Sequence, residues 1–299
     1  NHFSFIYTCL KLKNDYFTNS FNKFFSNAIK LYDSFESSIY FGLKARIYYH
    51  NKIGIMNLKL KNYNLSEFHF KTCIDILQSI KNTFSLITWM RDIVAVKYNL
   101  GLCYFYQKNY QYAYLVFSEI KSKININVYF NYRIGLCCLE LFKANSCDDE
   151  HNIVSEYAGY KKQDEIKRII LNSSMSKNYR NDINLKLAIN YFKQSLIILR
   201  GQVNEGDLNL KEICLKYDTL LINNYLSLIF CLVIAEFYRE AIFLIQEMES
   251  SDLIKDEHRV LIENYKIKIH LNLGNYANVL EIVKKMLNNT TMGKLYNIN

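Results

Sequence analysis

The chain contains no proline, where ordinary usage of about 5% would place roughly fifteen in its 299 residues. Proline removes a backbone donor and clashes with the preceding turn of a helix, so its absence suits a chain built from helices. Glycine and tryptophan are scarce too, at nine and one. An AT-rich coding sequence depletes these same residue types and accounts for most of the bias. No apolar run reaches the roughly 18 residues of a membrane-spanning helix without a charge. The longest, Leu220 to Ala235, carries Asn223 and Asn224 and reads as a buried helix. The eight cysteines (Cys9, Cys73, Cys103, Cys137, Cys138, Cys147, Cys214, Cys231) include no C-x-x-C pair. Most fall at apolar helical positions, where cysteine packs as a small hydrophobe. That argues against a disulfide framework and for a reducing compartment. The G-x-x-x-x-G-K-S/T phosphate loop and the G-x-S-x-G elbow are both missing, which removes two enzyme classes.

What the chain does have is core material and a repeated pattern. Half of its residues are hydrophobic and 15% are aromatic. Between Val94 and Ile120, Leu100, Gly101, Tyr104, Tyr110, Ala113 and Phe117 stand at the seventh, eighth, eleventh, seventeenth, twentieth and twenty-fourth places of a two-helix unit. Gly101 and Ala113 are small because the helices approach closely there. Tyr104, Tyr110 and Phe117 fill the space around that contact. The spacing resembles the tetratricopeptide (TPR) repeat, whose units stack because none buries its apolar face alone. Gly135 follows Gly101 by the 34-residue TPR period. Gly54 with Tyr63, Ser66, Phe70 and Cys73 forms an earlier unit. Leu185 to Leu199 supplies another second helix, with Ala188 and Phe192. Tyr238, Ala241, Ile245 and Met248 mark a fourth, and Tyr276, Val279 and Val283 a weaker fifth. The expected fold is therefore an all-α TPR superhelical solenoid of antiparallel helix pairs.

The solenoid divides into residues 1–144 as helical repeats, 145–182 as a polar insert within a repeat, and 183–299 as TPR-like repeats. Within the first part, residues 1–46 read as the end of one repeat and a spacer helix. Asn14, Asp15, Tyr16, Ser20 and Phe24 read there as the second half of a unit whose first helix is cut. The chain opens on Asn1 rather than Met, which reads as a fragment of a longer protein. Ser79 to Arg91 is a long link, packed back on the array by Phe84 and Trp89. Trp89 is also a possible partner contact in this reading. Gln163 to Leu171 is expected as a short helix inside the insert. Gly201 to Asn209 is expected as a second polar break, and Thr290 to Asn299 as a frayed end.

No catalytic constellation stands out. His50, His69, His258 and His270 read as ordinary residues of separate helices. Cys147, Asp148, Asp149, Glu150 and His151 form the one local cluster of ligand-type residues. Adjacent loop residues rarely converge on a metal, so no metal site and no cofactor are expected. The net charge of +9 admits an RNA or acidic partner. The lysines are scattered rather than gathered in a stripe, which favours solvated faces and makes direct nucleic-acid contact a minor reading.

Binding suits this pattern better than catalysis. First helices of successive TPR units line a concave face. The outward places are Ala95, Tyr98, Asn99, Leu102, Phe105 and Tyr106 in one unit, and Tyr129, Tyr132, Arg133, Leu136, Leu139 and Glu140 in the next. From these, Tyr98, Asn99, Leu102, Tyr106, Tyr129, Tyr132, Arg133, Leu136 and Glu140 are the candidate partner-binding residues. Such a face accepts an apolar helix or extended segment, with Tyr and Arg as anchors. The competing reading fills the groove with further helices of the same chain. The carboxylate clamp of chaperone-binding TPR domains is not expected. Asn99 and Arg133 match it, but Asn51, Ile55 and Tyr129 do not.

Order and spacing from residue 40 to 288 resemble the C-terminal half of subunit ten of the Ccr–Not mRNA deadenylase complex. The unit from Ile47 to Leu77, the long link, and the unit around Gly101 come first. The helix from Tyr129 to Phe142 follows, with Cys137 and Cys138 after Ile134 and Gly135, and then the interruption inside that repeat. The resemblance implies a non-catalytic scaffold acting in mRNA turnover and regulation of translation. Its implied partners are the large Not scaffold and a subunit-eleven-like protein. Its implied location is the cytoplasm, with the nucleus as a second compartment. The alternatives are a TPR adaptor of another assembly (ubiquitin ligase, transport or chaperone-linked) and an RNA-binding helical-repeat protein.

Overall fold

A computed structural model of the chain describes residues 2–35, 39–81, 86–123, 127–147, 179–204, 210–250 and 256–294. Every regular element among the described residues is helical, and none is a strand. The chain forms two compact units, Asn1–Asn125 and Ile126–Asn299. The first holds α1 (His2–Phe17), α2 (Phe21–Phe35), α3 (Ile39–Lys59), α4 (Tyr63–Ser79), α5 (Leu86–Tyr106) and α6 (Tyr110–Ile120), closed by a 3-10 turn, Lys121–Lys123. Each of these helices packs on the next in sequence, and α3 also meets α5. The second unit holds α7 (Val128–Cys147), a 3-10 turn at Tyr179–Asn181, α8 (Ile183–Asn204), α9 (Leu210–Ile234), α10 (Tyr238–Ser250), α11 (Asp256–Asn272) and α12 (Tyr276–Lys294). Here too each helix packs on its successor, and α9 meets both α7 and α11. No helix among the described residues is long and apolar enough to cross a membrane.

Five helix-to-helix turns share one backbone solution. Asn19, Lys61, Lys108, Glu236 and Gly274 adopt φ of 55°, 62°, 64°, 62° and 73°. Each stands two residues before the next helix begins. The N–H one residue further on reaches back to a carbonyl five residues earlier. Examples are Asn62 to Asn57 at 2.8 Å, Asn109 to Tyr104 at 2.9 Å and Asn275 to His270 at 2.8 Å. This is the Schellman closure, which satisfies carbonyls that a helix end would otherwise leave unpaired. Only Gly274 takes the left-handed conformation without a Cβ penalty. A side chain there costs about 1–2 kcal/mol.

The core of three hairpins is one repeated contact. A side-chain carbon added to Gly54, Gly101 or Gly135 would lie 2.6, 2.5 or 2.7 Å from the ring of Phe70, Phe117 or Phe192. Each glycine is therefore a notch in a first helix that receives a ring from the second. All three rings are fully buried, which contributes about 2–3 kcal/mol apiece from transfer out of water. Next to the first joint, Ser66 Oγ donates to the Gly54 carbonyl at 2.9 Å. The Gly135–Phe192 joint pairs α7 with α8, although 35 residues separate the two helices in sequence.

Several expectations are corrected. Asn14, Asp15 and Tyr16 do not open a second helix. They lie in the last turns of α1, and the second helix starts at Phe21 after the Asn19 turn. The buried Asp15 carboxylate instead accepts a 2.6 Å hydrogen bond from Asn27 across the α1–α2 contact. Gly201 to Asn204 are the end of α8, not a break. The link before Arg91 is shorter than expected, since α5 already begins at Leu86. The residues 145–147 at the start of the expected insert are helical. Phe84, Gln163–Leu171 and residues 148–178 lie outside the described residues.

Candidate functional site

In the first unit, Ala95, Tyr98, Asn99, Leu102, Phe105 and Tyr106 fall at three- and four-residue steps along α5. Such steps place residues on one helix face. Tyr98 is half-buried, with its ring 5.7 Å from Phe117. Leu102 is half-buried. Tyr106 is exposed and stacks on Tyr63 of α4 at 6.5 Å, with planes 9° apart. Asn99 Nδ2 donates to Asn51 Oδ1 at 3.0 Å, joining α5 to α3. A hollow of about 320 Å³ continues this face toward the start of α5. Ile47, Tyr48 and Asn51 from α3, Leu77 from α4, Ile80 just past its end, and Trp89 and Ala95 from α5 line it. Lys44, Arg91 and Asp92 stand at its polar side. Trp89 is buried, and its indole N–H donates to the Leu77 carbonyl at 2.6 Å. The ring is thus held as a wall.

In the second unit, Tyr129, Tyr132, Arg133, Leu136 and Glu140 form the equivalent stripe on α7. Tyr132 repeats the Tyr98 arrangement, with its ring 5.8 Å from Phe192. Tyr129 is exposed, and Glu140 pairs with Lys143 at 2.6 Å. Leu139 is corrected, because it is 2% exposed and belongs to the core. The nine candidate residues therefore divide, four on α5 in one unit and five on α7 in the other.

The histidines do not all stand apart. His50 on α3 and His69 on α4 meet, Nδ1 to Nδ1, at 3.0 Å. One ring must donate and the other accept, so the contact needs at least one neutral imidazole. Burial, then the charges of His69 and Arg46, pushes His50 down to about 4. Burial also lowers His69. His258 and His270 share α11 rather than separate helices. Sequence spacing carried no sign of the His50–His69 pair, because it depends on how two helices are rotated against each other.

Other polar contacts read as structural. Glu67 receives hydrogen bonds from Tyr104 at 3.2 Å and Gln107 at 3.0 Å and pairs with Lys71 at 2.7 Å. Burial raises its carboxyl, but these donors outweigh burial and hold it below the usual range. Arg200 pairs with Glu247 at 2.5 Å, and Tyr225 donates to the same carboxylate at 2.9 Å. Cys9, Cys73, Cys103, Cys137, Cys138 and Cys231 are free thiols, and of these all but Cys9 are buried. Burial pushes Cys73 up to about 12 and Cys137 higher still. Such thiols stay protonated and make poor nucleophiles. Among the described residues no three His, Cys, Asp or Glu side chains gather as a metal site would require. Asp148, Asp149, Glu150 and His151 lie outside them. Comparison with protein-family models, with curated proteins and with solved structures finds no match for this chain.

Proposed function

We propose that the chain is a non-catalytic scaffold of TPR type that holds a segment of a partner protein along α3 and α5. The observation that carries this reading is the α5 face. Tyr98, Asn99, Leu102 and Tyr106 run along it, and it continues into the 320 Å³ hollow beside Trp89. A groove with an apolar floor, aromatic rings and a few polar groups suits an amphipathic helix or an extended segment. The repeated Gly–Phe joints and turns support the TPR reading, since a stacked array needs the same unit many times. On this reading the assembly is a Ccr–Not-like deadenylase. The partners are then the large Not scaffold and a subunit-eleven-like protein, and the role lies in mRNA turnover. That assignment rests on the order and spacing of the sequence units.

Affinity purification of the tagged full-length protein with mass spectrometry tests the assembly. Recovery of a Not scaffold with a subunit-eleven-like protein supports it. Recovery of a different assembly retires it and leaves the groove reading intact. Tyr98→Ala combined with Tyr106→Ala, both on α5, tests the groove. Truncating two aromatic anchors is expected to weaken partner binding about tenfold or more while helicity by circular dichroism stays unchanged. Unchanged affinity removes the groove from the proposal.

A further inference from the structure

We propose that a second, basic hollow on the first unit docks an acidic segment of a partner protein carrying one large aliphatic side chain. This hollow measures about 310 Å³ and shares only Trp89 with the groove hollow. Trp89, Ile93 and Ile120 form its apolar wall, and Lys81, Lys97 and Lys123 bring three ammonium groups to it. Among the described residues no Asp or Glu lines it. Lys97 is balanced by Glu119 at 2.5 Å. Among the described residues that is the only carboxylate paired with any of the three lysines. Lys81 Nζ lies 5.4 Å from the centre of the Trp89 ring, so one cation is held at the edge of the apolar wall. Lys81 and Lys123 are exposed.

Charge complementarity selects the occupant. Two ammonium groups without a carboxylate, set around an apolar hollow, match carboxylates that flank an aliphatic side chain. A single-stranded nucleic acid fits less well. It needs a basic track along its backbone and open aromatic faces for successive bases. Here the charge gathers at one hollow, and its one aromatic ring is buried with the indole N–H already engaged. The inference does not depend on the identity of the assembly proposed above.

Trp89 is the only tryptophan in the chain and lines both hollows, so its emission reports binding at either, and substitutions on each side tell the two apart. The full-length protein is titrated with the peptide acetyl-EEDLEED-amide, its neutral counterpart acetyl-QQNLQQN-amide, and an oligouridylate of equal length. The acidic peptide is expected to shift the emission saturably, with an affinity that falls steeply as salt is raised. Lys81→Glu with Lys123→Glu is expected to weaken it about tenfold or more, with helicity unchanged. Arg91→Glu, at the other hollow, is expected to leave it as it was. No saturable shift, an equal response to the neutral peptide, tighter binding of the oligouridylate, or an equal loss in Arg91→Glu overturns the proposal.

Discussion

The α5–α6 and α1–α2 hairpins make the same joint from opposite letters. In α5–α6 the first helix carries Gly101 and the second carries Phe117, whose ring fills the notch. In α1–α2 the equivalent places hold Leu12 and Ala28, both fully buried in one cluster with Phe24. Large and small have changed sides. In α9–α10 the same places hold Ile229 and Ile245, two residues of middle size that are also buried. What persists is the volume between crossing helices, because a close-packed interior tolerates neither a void nor an excess methylene.

That comparison can be broken most strongly at its ring. Phe117→Ala is expected to destabilise the first unit by about 3–5 kcal/mol, read from chemical denaturation. Gly101→Leu is expected to cost about 3 kcal/mol, since the new side chain enters space the ring occupies. The double variant Gly101→Leu with Phe117→Ala rewrites α5–α6 in the letters of α1–α2. It is expected to recover more than half of the summed loss, and simple additivity would show that joint volume is not what matters.

Acidity should separate α3–α4 from α5–α6. Where α3–α4 has His50 and His69, α5–α6 has Lys97 and Val116. His50 is held neutral in the folded chain, down to about pH 4. The unfolded chain takes up the proton near its ordinary value, so the folded state loses stability as pH falls from about 6.5 to about 4. The pair is only half-buried, so the expected loss is on the order of 1–2 kcal/mol, below what the full shift would imply. His50→Lys with His69→Val should flatten that part of the pH–stability profile, and an unchanged slope would assign it to other groups.

The smallest effect lies in the turns. Gly274 and Lys108 adopt the same left-handed backbone, and Lys108 is exposed. Lys108→Gly is expected to stabilise the first unit by about 0.5–1 kcal/mol, visible as a rise in denaturation midpoint. A fall would mean that glycine's extra freedom in the unfolded chain outweighs the relief of strain.

Much of the fold was legible where the signal was local. Gly54, Gly101 and Gly135 mark notches, and Phe70, Phe117 and Phe192 follow at a helix-pair distance. The pairing of α7 with α8 could be read across a long interruption for the same reason. The α1–α2 hairpin was misread because Asn14, Asp15 and Tyr16 imitate the Asn–Tyr step that opens α4 and α6. The actual turn rests on Asn19, an amide residue that tolerates positive φ. The candidate stripes on α5 and α7 follow from helical period, whereas Leu139 fell on the wrong side. Tyr48 and Asn51 become visible only when the same positional rule is applied to the preceding unit.

By itself the sequence determined an all-helical chain, its helix pairs and the notches that join them. These depend on periodicity and on small residues at fixed steps, which any helix turns into faces. Tertiary structure alone decided what those faces bring together. His50 met His69 because α3 and α4 present those sides to each other. Lys81, Lys97 and Lys123 look scattered in the chain, yet three elements converge to place them around one hollow beside Trp89. Convergence of distant residues follows from helix packing geometry, which composition and spacing do not encode.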